Sequence, residues 1–310
     1  MLYRHFSLRL KLPLNLYPHH FKAMGTQCEL RLYAATAASA AVAINAVLVD
    51  VERLEAAYSR YRVNSKLSQI NLVAARGGNI TVDPETAHLL DYAATCYHQS
   101  EGLFDITSGI LRRAWDFKAG KLPTPDTVKK LLVNTGWHQL RWFAPLLEFP
   151  TPGLELDLGG VVKEYATDRA ATLCQQLGIK HGLINLGGDI RVIGPHPDGK
   201  PWYVGISNPQ QPDSALQTIE LQCGALASSG DYERCITIEG VRYGHVLNPF
   251  TGWPVSHLAA VSVLADFCVV AGSAATVGML MEKRGGAWLH NLGLPHLWVD
   301  VNGNCGGSLN

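Results

Sequence analysis

Five short stretches set glycines or prolines beside residues able to do chemistry. Residues 155–168 read ELDLGGVVKEYATD. An apolar run ends in Gly159-Gly160 and a helical pattern follows. Backbone N–H groups at such a turn can approach phosphate, because glycine has no Cβ in the way and a helix N-terminus is electropositive. The same letters also describe an ordinary tight strand-to-helix turn. Residues 182–194, GLINLGGDIRVIG, place Gly187-Gly188 between two apolar strands, as a hairpin does, with Asp189 read as capping the turn. Their spacing is neither a P-loop nor a dinucleotide fingerprint. Residues 244–254, GHVLNPFTGWP, put His245 just ahead of an Asn-Pro-x-Thr-Gly turn. A lone histidine there reads as a structural residue or as a catalytic one. In GLFDIT (102–107), Asp105 reads as a contact to an adenine or ribose edge, or as a helix N-cap. Met24-Gly25-Thr26 reads as a turn before a strand. The sequence contains no G-x-S-x-G elbow and no H-E-x-x-H.

These residues need elements to hold them. TQCELRLY (26–33) alternates as a strand does, and residues 36–58 carry apolar positions at helical spacing. SRYRVNSKLSQIN is a polar loop leading into a short helical turn. A helix starts at Pro84 and runs to residue 100. EGLFDITSGILRRAWDF opens with a turn and closes as a helix, and DTVKKLLVN is helical. LELDLGG reads as a strand, and KEYATDRAATLCQQLG as a helix with Gly178 as its C-cap. Both halves of HGLINLGGDIRVIG, then WYVGIS, LQTIELQC, CITIEG and AAVSVLA, read as strands. Residues 269–283 form a helix, and LWVDVNG closes the chain as strand and turn. This mixture lacks a regular βαβ alternation and predicts an α+β class with a substantial antiparallel sheet. Residues 1–20 are expected to be an N-terminal extension and 21–310 a single unit.

Composition narrows the partners. The 310 residues are 47% hydrophobic and 17% charged, enough to bury a core. Twenty-six basic residues balance 26 acidic ones, which argues against nucleic acid as the partner. The seven cysteines are scattered without a C-x-x-C pair, a pattern of neither zinc site nor disulfide framework. Most are expected to be small buried hydrophobes. The first 26 residues show no continuous apolar segment and no lipobox cysteine, and no run of about 18 apolar residues occurs, so a cytoplasmic protein without a membrane span is expected.

Taken in order, eight stretches resemble the FAD:protein FMN transferases, the ApbE-type flavin transferases. They are MGT (24–26), SRYRVNSKLSQIN (59–71), GLFDITSGILRRAW (102–115), LDLGGVVKEYATD (156–168), INLGGDIRVIG (184–194), ASSGDYER (227–234), GHVLNPFTGWPV (244–255) and AGSAAT (271–276). The resemblance implies two interleaved lobes with a flavin cleft between them. It implies FAD as substrate, Mg²⁺ as cofactor, and transfer of FMN to a Thr or Ser hydroxyl of an acceptor flavoprotein carrying a D-x-x-[ST]-G-A-[ST] signature, with release of AMP. It assigns FAD binding to Met24, Tyr61, Leu103, Phe104, Asp105, Gly159, Tyr165 and His245. His245 and Thr276 are its catalytic candidates, His245 as base. DITSGIL (105–111) also resembles the acceptor signature, which would make Ser108 a site of self-modification, although the family's own pattern accounts for the same letters.

Two departures concern the metal. The late-helix motif of the family looks like A-D-x-x-x-T, with Asp and Thr on the ion. Here Thr276 is present and Gly272 stands where Asp is expected. The family's strand–helix motif commonly reads K-G-Y-A or E-G-Y-A, and here Glu164 stands where Gly is expected. Glu164 is therefore a candidate substitute ligand, ahead of Asp266, and the Val162 carbonyl remains a ligand by resemblance. The alternative function is a FAD-binding homologue impaired in chemistry by Gly272, in which Gly272→Asp would restore activity.

Overall fold

The computed structural model describes residues 13–117, 120–231 and 235–309. Along the chain run β1 (Asn15–Ala23), β2 (Thr26–Ala34), α1 (Ala37–Tyr58), α2 (Lys66–Arg76), β3 (Gly78–Thr81), α3 (Pro84–Gln99) and α4 (Pro125–Leu132). Then come β4 (Arg141–Phe143), β5 (Leu146–Phe149), α5 (Val162–Gln176), β6 (Gly182–Leu186), β7 (Asp189–Gly194), β8 (Trp202–Asn208) and β9 (Gln211–Leu221). The remainder is β10 (Gly224–Gly230), β11 (Cys235–Ile238), β12 (Val241–Gly244), β13 (Leu258–Ala265), α6 (Cys268–Leu280), α7 (Gly285–Asn291), β14 (His296–Asp300) and β15 (Cys305–Gly307).

Eight strands form one antiparallel sheet in the order β1-β2-β6-β7-β10-β13-β14-β15. The α+β class is borne out. Successive side chains of a strand face opposite sides of the sheet, and here both sides are covered. Ile184, Ile193, Ala225 and Ala227 join the core built with α1, α5 and α6. Leu183, Ile190, Val192 and Leu226 face Trp202, Val204, Ile206, Ile219 and Leu221 of the β8–β9 ribbon. Double coverage explains why β6, β7 and β13 read as continuous apolar runs instead of alternating. A smaller cluster of Ile110, Leu111, Trp115, Ile236 and Leu247 supports the loop after β12.

The structure departs from the sequence reading in several places. β1 pairs with β2 from Asn15↔Ala34 onward, so the sheet begins inside the stretch read as an extension. Its polar letters suit an edge strand, where Pro18 is tolerated; residues 1–12 lie outside the described residues. LELDLGG has no ladder partner. Leu154, Leu156 and Leu158 are buried, but the Asn71 side chain pairs with both backbone groups of Leu156 in place of a strand (2.7 and 2.9 Å). The helix expected late in 101–117 is a 3-10 helix over Ile106–Arg113. The β4–β5 hairpin was not expected at all.

Helices α1 to α4 start on side-chain caps. Thr36 and Ser39 form a reciprocal capping box at α1. α6 is buried on nearly all sides and has no capping side chain of its own. Asp168 of α5 supplies it, accepting from the N–H groups of Cys268 (2.8 Å) and Val269 (2.9 Å). All seven cysteines are free, and Cys28, Cys96, Cys174 and Cys268 are buried.

Asp83 caps α3 and also accepts from the Thr86 hydroxyl and from Lys66 Nζ (2.9 Å). Partial burial pushes its carboxyl up, but these partners outweigh that and hold it at about 2. The unfolded value is about 3.9. The folded value is the lower one, so this stabilisation is complete above the unfolded value and is lost as pH falls from about 4 toward 2. Asp83→Asn is expected to flatten the urea midpoint over that window, and an unchanged pH slope would refute the assignment.

Candidate functional site

The first part of the site is the corner around Gly159. Asp105 caps the 3-10 helix, and its carboxylate accepts from Thr107 N (2.8 Å), Thr107 Oγ1 (2.7 Å) and Trp137 N (2.9 Å). Burial pushes its carboxyl up, against the pull of these bonds. The N-cap alternative is thus the one its side chain realises. Leu103 and Phe104 are buried beside it, and Gly160 lies over the Phe104 ring. Asp157 N donates to Ile106 O (2.7 Å). A Cβ on Gly109 would sit 2.5 Å from the Asp157 Cβ, so that crossing requires glycine.

Asp157 was not singled out from the sequence, yet it organises this corner. Its Oδ1 accepts from Gly159 N (2.8 Å), and its Oδ2 from Arg60 (2.8 Å) and Arg112 (2.6 Å). Arg113 pairs with Glu155. Three guanidinium groups therefore meet two carboxylates, an excess of positive charge suited to an anionic ligand. Tyr61 is 80% exposed, with the Arg60 guanidinium 4.8 Å from its ring centroid. An exposed ring beside guanidinium groups and a glycine turn can stack a planar heterocycle and hold phosphate oxygens.

The second part joins two glycine turns to α5. Met24 takes φ +50° in the β1–β2 turn, and its N–H donates to Glu55 (2.9 Å). Gly187, at φ +65°, packs on the Thr26 side chain, which occupies the space a Cβ would need. Asn185 caps the β6–β7 turn through Gly188 N (2.8 Å). This corrects the reading of Asp189, whose buried carboxylate instead forms an ion pair with Lys163 in the first turn of α5.

Val162 opens α5, and Glu164 follows in the same turn. Glu164 is only 7% exposed, and among the described residues its Oε2 has no hydrogen-bond partner. Burial, and then the nearby Asp189, push its carboxyl up to about 7, with Lys163 pulling the other way. Gly272 of α6 lies directly against it. A Cβ built on Gly272 would be 2.5 Å from Glu164 Cγ and 3.1 Å from its Oε1. Thr276 is one turn further along α6 and half-buried, on the same face as Gly272. Asp266 is exposed and precedes α6, so the structure does not bring it to this contact. The expectation that Gly272→Asp alone would restore a ligand meets the same obstacle, since Glu164 fills the space.

Two candidates sit elsewhere. The Tyr165 hydroxyl donates to Glu85 (3.1 Å), which also binds Arg53 through two bonds (2.6 and 2.8 Å). Tyr165 thus faces the α1–α3 side of α5. His245 follows Gly244, which packs on Asp231, itself paired with Arg242 (3.0 Å). Asn248 Oδ1 then accepts from Phe250 N and Thr251 N, and Trp115 Nε1 donates to Gly252 O (2.8 Å). The loop after His245 is therefore fixed on Trp115, just beyond the 3-10 helix of the Gly159 corner. Residues 232–234 of the ASSGDYER stretch lie outside the described residues. Among the described residues, no three His, Cys, Asp or Glu side chains form a metal-binding group.

The ApbE family model matches residues 24–298. A relative from Vibrio cholerae, named FAD:protein FMN transferase, is 31% identical over 257 residues, covering 80% of this chain and 76% of the relative. The solved structure of the ApbE protein from Thermotoga maritima superposes with a TM-score of 0.87 at 27% identity, covering 95% of this chain and 97% of the other. The flavin transferase ApbE from Vibrio cholerae gives 0.86 at 28% identity, covering 96% and 98%.

Asp105→Ala would strand the buried N–H groups of Thr107 and Trp137. It is expected to lower the unfolding free energy by about 2–6 kcal/mol, at about 1–3 for each stranded donor. An unchanged urea midpoint together with lost ligand affinity would make Asp105 a ligand contact instead of a cap.

Proposed function

We propose, from the premise that this chain belongs to the ApbE family, that it transfers FMN from FAD to a Thr or Ser hydroxyl of an acceptor flavoprotein. The observation that carries this reading is the family match over residues 24–298, with relatives that bear the name FAD:protein FMN transferase. In the reaction, the acceptor hydroxyl attacks the phosphorus on the riboflavin side of the pyrophosphate. The bridging P–O bond breaks, and AMP leaves with its electron pair.

Each residue then has a task. Tyr61 offers the exposed ring against which the planar part of FAD rests, and the buried Leu103 and Phe104 form the wall of that corner behind the ligand. Gly159 brings backbone close to phosphate, and Asp105 holds that wall in place by capping the 3-10 segment. Met24 and Tyr165 border the α1 side. His245, held by the rigid loop that follows it, accepts the hydroxyl proton. Mg²⁺, when bound, neutralises charge on the pyrophosphate oxygens. The Val162 carbonyl, the Thr276 hydroxyl and a carboxylate at the α5–α6 contact would hold it. This is a set of hard oxygen donors such as Mg²⁺ takes, and the unpartnered Glu164 oxygen fits it. The acceptor is a flavoprotein segment with the D-x-x-[ST]-G-A-[ST] signature. No helix among the described residues is long and apolar enough to cross a membrane.

A second reading, a FAD-binding homologue impaired in chemistry, rests on Gly272. The Glu164 carboxylate lying against Gly272 favours the first.

Purified protein incubated with FAD, Mg²⁺ and a peptide bearing D-x-x-T-G-A-T is expected to release AMP and to place FMN on the peptide threonine. Both should require Mg²⁺. His245→Ala should slow AMP release by about 10²–10⁴-fold. Bound but intact FAD would favour the impaired homologue, and absence of flavin binding would remove both readings.

A further inference from the structure

We propose that Glu164 is the anionic ligand of a divalent-cation site on the α5–α6 contact, and that Gly272 exists to make room for it. The inference deepens the flavin-transfer reading and rests on it for what the cation does, but not for the binding itself.

A carboxylate buried this deeply is expensive unless an opposite charge meets it. Glu164 is 7% exposed, and among the described residues its Oε2 has no hydrogen-bond partner. Lys163, the residue before it, is engaged with Asp189. Asp168 spends its oxygens on the α6 N-terminus, with Arg191 at 3.4 Å. The Lys163 ammonium and the Arg191 guanidinium are thus each engaged with another carboxylate, and among the described residues Glu164 is left without a counter-charge of its own. An oxygen-seeking cation would supply one, with the Thr276 hydroxyl as a neutral donor on the same side of α6.

The space around the carboxylate supports this independently. A Cβ on residue 272 would lie 2.5 Å from Glu164 Cγ and 3.2 Å from Cδ. A side chain on α6 at this point and the Glu164 side chain on α5 therefore claim one volume. The sequence departs from the expected motif at these two positions together, glycine for acid at 272 and acid for glycine at 164. The geometry makes them one change. The carboxylate is retained, but it reaches the contact from the opposite helix.

The test uses Mn²⁺ alone with the full chain, its free concentration read by electron paramagnetic resonance. Wild type is expected to bind Mn²⁺, and Glu164→Gln to weaken it at least tenfold. Gly272→Asp alone should lower the thermal midpoint, because two side chains then compete for one space. The exchange Glu164→Gly with Gly272→Asp should return Mn²⁺ affinity to within about threefold of wild type. If Glu164→Gln does not unfold cooperatively, the exchange variant decides: retained affinity supports the proposal and lost affinity overturns it. Wild-type affinity in a folded Glu164→Gln protein, or no Mn²⁺ binding to wild type, also overturns it. Glu164-dependent Mn²⁺ binding without AMP release would leave this site standing and remove the transfer reading. AMP release that is indifferent to Glu164→Gln would do the reverse.

Discussion

The crossing of α5 and α6 is the contact on which the rest of the site depends. α6 is apolar and buried, so its first N–H groups cannot turn to water, and no side chain near its start meets them. Asp168 reaches from the second turn of α5 to do so. That bond fixes the register of the two helices. Small residues on α6, Ala271, Gly272 and Ala275, line its buried surface, and Gly272 lets α5 close in until Glu164 touches its backbone. With this register set, Lys163 meets Asp189 at the β6–β7 turn, and the turns bearing Met24 and Gly187 pack against one another through Thr26.

The loops of the site are held in a common manner. Amide or carboxylate side chains satisfy their backbone groups. Asn71 does this for Leu156, Asn185 for Gly188, Asn248 for Phe250 and Thr251, and Asp157 for Gly159. Such bonds leave glycines uncovered on their outer side while removing the freedom glycine would otherwise have. A surface able to approach phosphate closely thereby becomes a fixed one, which is the preorganisation a transfer reaction uses.

The sequence made the sheet-forming hairpin β6–β7, the long helix α1 and the cap-started helix α3 legible, because each carries a local signal. It misread LELDLGG because alternating leucines report burial on one side of an extended chain and say nothing about a ladder partner. β1 was hidden for the opposite reason: an edge strand can be polar and still pair. In the site, the order of the motifs was readable, but the roles within them were not. Asp189 and Asn185 both suit a turn, and only the position of Lys163 on α5 separates them. Asp157 looked like part of a strand, although two arginines from distant segments converge on it.

Glu164 and Gly272 show most clearly what a sequence read position by position leaves out. Gly272 alone signals a lost carboxylate, and Glu164 alone an odd substitution in a glycine turn. Placed in contact, they describe a transfer of one carboxylate between helices. The new position has its own physical logic. Glu164 lies in the first turn of α5, where the helix dipole favours negative charge, in the same turn as Lys163 and one residue after it. Val162, Lys163 and Glu164 follow directly on the Gly159-Gly160 turn. Cation ligand, counter-charge and phosphate-approaching backbone then belong to one short rigid segment, so any motion that shifts the phosphate contact shifts the carboxylate with it. A carboxylate carried on α6 would not share that coupling, because its alignment with the turn would depend on the helix crossing alone.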